Sequence, residues 1–83
     1  MRYEVVWTTE GLEQLLAIIG RIGKSGDYVR ALAEINGQLG VDPRPADATV
    51  NEDLWRVTVG KIRVYYEIND EMNEVEIVGI RSS

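Results

Sequence analysis

The stretch "DLWRVTVGKIRVYYEIND", residues 53–70, decides the fold. Trp55, Val57 and Val59 alternate with Arg56 and Thr58, and Ile62, Val64, Tyr66 and Ile68 alternate with Arg63, Tyr65 and Glu67. A period of two, rich in β-branched and aromatic residues, predicts two half-buried strands. Gly60-Lys61 between them suits a type II′ turn, because glycine accepts a positive φ at its first position. That turn fixes the register: 59 faces 62, 58 faces 63, 57 faces 64 and 56 faces 65. One face of the hairpin is then apolar, and the other collects Arg56, Thr58, Arg63 and Tyr65.

Working outward, "NDEMN" (69–73) reads as a turn and "EVEIVGI" (74–80) as a last strand ending at Arg81. If Ile68 faces Val75, Arg81 shares parity with Val75 and Ile77, the inner set. Its arrival in the outer cluster requires a bulge near "IVGI", where Gly79 permits one. The same register sets Glu67 opposite Glu76, like charge against like. Towards the N-terminus, "RYEVVW" (2–7) reads as a strand. Thr8 or Thr9 then caps a helix whose stripe is Leu12, Leu15, Leu16, Ile19 and Ile22. "GKSGD" (23–27) is a connection, and Asp27 caps a second helix with the stripe Tyr28, Ala31, Leu32, Ile35 and Leu39. Residues 40–53, "GVDPRPADATVNED", hold both prolines and read as a loop.

The order is β-α-α-β-β-β: an α+β fold, with an N-terminal helical hairpin packed on one face of a small antiparallel-rich sheet. Leu15, Ile19, Leu32, Ile35, Val57 and Val64 are expected to share the core. The 83 residues suit one domain, 1–83.

Composition removes much chemistry. With no cysteine and no histidine, disulfides, thiolate or imidazole metal sites and histidine bases are excluded. The acidic turn lacks a calcium-loop spacing, so no metal and no cofactor is expected. No apolar run approaches the roughly 20 residues of a membrane helix, and a cytoplasmic location is expected. The net charge of −5 disfavours a polyanionic partner at long range. Glu67 lies on the face of Arg63 and Tyr65, so only weak RNA affinity is expected at physiological salt.

"YEVVWTTEGLEQL", "LGVDPR", "LWRVTVGKIRVYYEIND" and "VEIVGIR" occur in the order in which the RelE/ParE superfamily of bacterial and archaeal toxin–antitoxin toxins carries its elements. The chain resembles that superfamily over most of its length, most specifically in the hairpin. The resemblance implies the toxin of a type II toxin–antitoxin system, bound by a cognate antitoxin. It implies either a metal-independent mRNA interferase, an endoribonuclease acting at the ribosome, or a poison of DNA gyrase. By position, Arg56, Arg63 and Arg81 match the family's basic sheet residues and are the candidate catalytic groups. Lys61 and Tyr65 are candidates for contact with RNA or a protein partner. The pattern departs at Thr58, where many nucleolytic members carry a second basic residue, and the sequence given ends two residues after Arg81. A non-catalytic protein-binding module, engaging an antitoxin, gyrase or itself as a homodimer, is the alternative implied.

Overall fold

In the computed structural model, which describes residues 2–22 and 26–82, the elements run β1 (Glu4–Trp7), α1 (Thr9–Ile22), α2 (Gly26–Val41), β2 (Thr49–Asn51), β3 (Leu54–Val59), β4 (Ile62–Asn69) and β5 (Glu74–Ser82). Five strands form one sheet in the order β1-β5-β4-β3-β2, with β1 parallel to β5 and the other pairs antiparallel. The central hairpin has the register its sequence predicts, Arg56 opposite Tyr65 and Thr58 opposite Arg63. Gly60 has φ +59° and Lys61 does not share a positive value, as a type II′ turn requires.

The apolar parity builds the core. Val57, Ile62, Val64, Tyr66, Val75, Ile77 and Ile80 are buried on the inner face, beneath Ile18 of α1 and Ala31, Ile35 and Leu39 of α2. Leu15 and Leu32 pack at its margin. The α1 stripe is turned from its expected position: Ile18 is buried, Ile19 is half-buried, and Leu12 and Leu16 are 45% and 66% exposed. The cause is Gly11. A Cβ there would lie 2.5 Å from the Ile77 carbonyl oxygen, so the bare glycine lets the start of α1 press against β5. The side facing the sheet therefore runs through Gly11, Leu15 and Ile18.

Thr8 caps α1. Its hydroxyl accepts from the Gly11 amide at 3.1 Å and donates to the Ile77 carbonyl at 3.1 Å, tying the cap to β5. Past the end of β1, Gln14 Oε1 accepts from the Ile80 amide at 2.9 Å. A helix side chain thus satisfies a strand edge that β1 is too short to cover. The expected Asp27 cap, the side chains of Ile22 and Tyr28, and the centre of the "GKSGD" link lie outside the described residues.

The segment 40–53 is not all loop. Residues 49–51 form β2, joined to β3 through Glu52 and Asp53, both at positive φ (52° and 67°). This is the two-residue pattern of a type I′ hairpin, made without glycine or asparagine. The preceding loop is fastened from below. Tyr66 donates its buried hydroxyl to the Pro43 carbonyl at 2.7 Å. Trp55 stacks on Tyr66, with ring centroids 6.4 Å apart, and Arg44 lies 5.7 Å from the centre of the Trp55 ring. Arg44 also pairs with Asp70 at 2.8 Å, and Tyr3 donates to the other Asp70 oxygen at 2.7 Å. Those two partners, Tyr3 first, hold the Asp70 carboxyl below its ordinary pKa. One carboxylate of the acidic turn therefore serves the fold.

Candidate functional site

The outer face of the sheet is built by parity, and a bulge completes it. Tyr65 is opposite Gly79 while Tyr66 is opposite Ile77, so Val78 is an extra residue on β5. Up to Ile77 the odd positions of β5 point inward; beyond Val78 the even ones do. Arg81 is thereby moved to the outer face, directly opposite Arg63. The condition that the sequence set for Arg81 is met at the stretch that permits it.

Arg56, Arg63 and Arg81 thus surround Tyr65 on three adjacent strands. The Arg63 guanidinium beside it, with the charges of Arg81 and Arg56 adding, holds the Tyr65 phenol below the ordinary tyrosine value. Among the described residues the ion pair is Arg44–Asp70, and Arg56, Arg63 and Arg81 take part in none. Arg63 Nε is shut off from solvent without a hydrogen-bond partner. Two arginines directly opposite each other on a ladder repel. Their placement with no ion pair among the described residues is the arrangement of a face that takes up an anion.

A shallow cleft beside them is lined by Asp47, Thr49, Arg56, Thr58 and Arg63. Asp47 and Thr49 were hidden to sequence reasoning because their segment reads as loop; the only signal was its length, long for an unstructured connection. Lys61 is exposed at the turn tip and lines neither this cleft nor the neighbouring one formed by Thr49, Val50, Asn51, Leu54, Arg56 and Tyr65.

The other end of the face is acidic. Glu67 stands opposite Glu76 and Glu74 stands beside Glu4, all with outer parity. Basic and acidic halves meet at Tyr65. Among the described residues no group of carboxylates has the geometry of a metal site, and no helix is long and apolar enough to cross a membrane.

Residues 5–83 match the family model of the ParE toxin of the type II toxin–antitoxin system parDE. The chain belongs to the ParE toxin family. Its fold is that of solved toxins in this superfamily. The RelBE2 toxin–antitoxin complex of Mycobacterium tuberculosis superposes with a TM-score of 0.76 at 24% identity, over 100% of this chain and 93% of that one. The archaeal RelE–RelB complex of Pyrococcus horikoshii gives 0.72 at 20% identity, over 99% and 96%. A metal-bound toxin from Helicobacter pylori gives 0.73 at 14%, over 99% and 94%. The comparison with curated proteins gives no match. The chain is therefore a toxin of the type II toxin–antitoxin class.

Proposed function

We propose that this toxin acts on RNA, as a metal-independent mRNA interferase, through the arginines of its outer face. The observation that carries the reading is the opposed pair Arg63 and Arg81 beside Tyr65, neither of which takes part in an ion pair among the described residues. In such a reaction the ribose 2′-oxygen attacks the adjacent phosphorus, the 5′-oxygen leaves with the bonding pair and takes up a proton, and a 2′,3′-cyclic phosphate forms. Charge grows on the phosphoryl oxygens in the transition state, and fixed guanidinium groups stabilise it there. Arg63 and Arg81 are placed for that role, with Arg56 on the adjoining strand. Tyr65, set among the three arginines, is placed to hydrogen-bond the ribose beside the scissile phosphate, and the 2′-hydroxyl proton is given up to solvent. The acidic half makes free RNA a poor ligand, so productive binding requires the ribosome to present the message. A cognate antitoxin holds the toxin inactive, as the RelB-bound relatives suggest.

Induced expression in a bacterium is expected to arrest growth, with new 5′ ends mapped in translated messages by primer extension. Arg63→Ala is expected to relieve both while the protein stays folded, since an outward-facing change costs within about 0.5 kcal/mol. Equal toxicity of Arg63→Ala removes the arginine from the mechanism. The family match favours a second reading: a toxin without nuclease activity that binds a protein target such as DNA gyrase. Growth arrest without new message ends, together with lost gyrase supercoiling, selects it.

A further inference from the structure

Two like-charge pairs share the outer face. Arg63 opposes Arg81, and Glu67 opposes Glu76. Each pair is repulsive within its own chain, and among the described residues none of the four side chains has an ion pair. Their spacing is symmetrical. On β4, Arg63 and Glu67 each lie two residues from Tyr65, about 7 Å along the strand on either side. On β5 the bulge at Val78 brings Arg81 level with Arg63 while leaving Glu76 level with Glu67. Counting the whole outer face, Arg56, Arg63 and Arg81 give +3, and Glu4, Glu67, Glu74 and Glu76 give −4. With Asp47 at the rim of the basic half, the face is close to neutral but sharply divided.

We infer that this face binds a second copy of the chain. A two-fold axis lying in the interface, crossing the strands at Tyr65, sets the two sheets face to face with β4 antiparallel to its copy. The rotation exchanges the two ends of each strand without moving it sideways. Arg63 then meets Glu67 of the second copy, and Arg81 meets Glu76. Symmetry repeats both contacts, so every member of both repulsive pairs gains an opposite charge, while Arg56, level with Tyr65 on β3, comes to face its own copy. Tyr65 packs on its counterpart at the axis, an amphipathic anchor at the centre of the patch. Stacked sheets keep their strands aligned within about 30°, which preserves these correspondences close to the axis.

Five strands span about 19 Å and the longest has nine residues, about 30 Å. Because β1 has only four residues and β2 three, the strands cover about 480 Å² per copy, the size of a weak, transient contact. The dimer is reversible and salt-sensitive, because its attraction comes from exposed charges. Docking covers Arg63 and Arg81. That it silences the toxin rests on the reading given under Proposed function; that it forms does not.

Sedimentation velocity of the purified full chain tests this without reference to activity. The wild type is expected to associate as its concentration rises at low salt and to dissociate on adding salt. The pair Arg63→Glu, Arg81→Glu makes both opposed pairs acidic, and Glu67→Arg, Glu76→Arg makes both basic. Each variant alone is expected to be monomeric, and an equimolar mixture to form a dimer. Recovery in the mixture also shows that both variants are folded. Where a reversal variant fails to fold by circular dichroism, the neutral pair Glu67→Gln, Glu76→Gln replaces it and is expected to weaken the wild-type dimer. A wild type that stays monomeric at low salt overturns the inference. So does a dimer that survives either reversal, or a mixture of folded reversal variants that stays monomeric.

Discussion

Replacing Tyr66 by phenylalanine removes one oxygen atom from the centre of the core. The side chain is wholly buried, and its hydroxyl donates to the Pro43 carbonyl at 2.7 Å. At neutral pH the variant leaves that carbonyl without its partner, at a cost of about 1.5 kcal/mol within the usual range of 1–3. An 83-residue domain has roughly 4–12 kcal/mol in all, so the loss is easily measured. Burial first, then the charges of Asp42 and Asp47, pushes the Tyr66 phenol up to about 12, with Arg44 opposing. A raised folded pKa stabilises the protein fully below the unfolded value of about 10, and that contribution fades as pH climbs through 12. The wild type is therefore expected to lose about 1 kcal/mol by pH 11 and about 2 by pH 12 from this group alone. The phenylalanine that replaces it has no proton to lose. The two stability curves are thus expected to converge near pH 11 and to cross above it. Urea midpoints followed by circular dichroism at neutral pH, pH 10 and about pH 11 measure the gap, and other ionisations cancel in the difference. A gap that stays constant with pH, or is absent at neutral pH, refutes the reasoning.

Gly11→Ala adds a good helix former, normally worth up to about 1 kcal/mol, yet its Cβ would meet the Ile77 carbonyl; a net loss of about 1–3 kcal/mol is expected in thermal or urea unfolding. Glu67→Gln relieves the repulsion across β4 and β5 and is expected to raise stability by about 0.2–1 kcal/mol, measured by urea midpoint at low salt. Deleting Val78 removes the bulge and turns Arg81 towards the inner face, so a loss of several kcal/mol or failure to fold is expected, read by circular dichroism and unfolding midpoint.

The hairpin, its turn and its outer cluster were legible because alternation and a turn glycine report strand parity directly. Two features were not. The face of α1 was misread because its closest approach to the sheet is made by Gly11, which hydrophobic periodicity cannot see, while Leu12 and Leu16 supply apolar character to the wrong side. The strand β2 was missed because all three of its residues are exposed, so it has no inside to alternate with, and its turn uses Glu52 and Asp53 where glycine or asparagine would have signalled it. Asp47 and Thr49 were lost from the candidate site for the same reason. Among the candidates themselves, Arg56, Arg63, Arg81 and Tyr65 come together, whereas Lys61 stands apart at the turn.

Val78 explains why the arginine cluster and the acidic half coexist on one face. Strict alternation along β5 would place Glu74 and Glu76 outside and bury Arg81 beside the core. The two ends of this strand thus make opposite demands on parity, and one extra residue satisfies both. Its location is constrained from the helix side as well. The Ile80 amide, just past the bulge, is held by Gln14, and a Cβ on Gly79 would come within 3.0 Å of that same Gln14 oxygen. Glycine at 79 thus leaves room for the glutamine that fixes the strand beyond the bulge. The basic cluster accordingly depends on residues that carry no charge: a register step at Val78, an open position at Gly79 and a strand edge held by Gln14. Substitutions at these three sites are expected to displace Arg81 from Arg63 without touching either arginine.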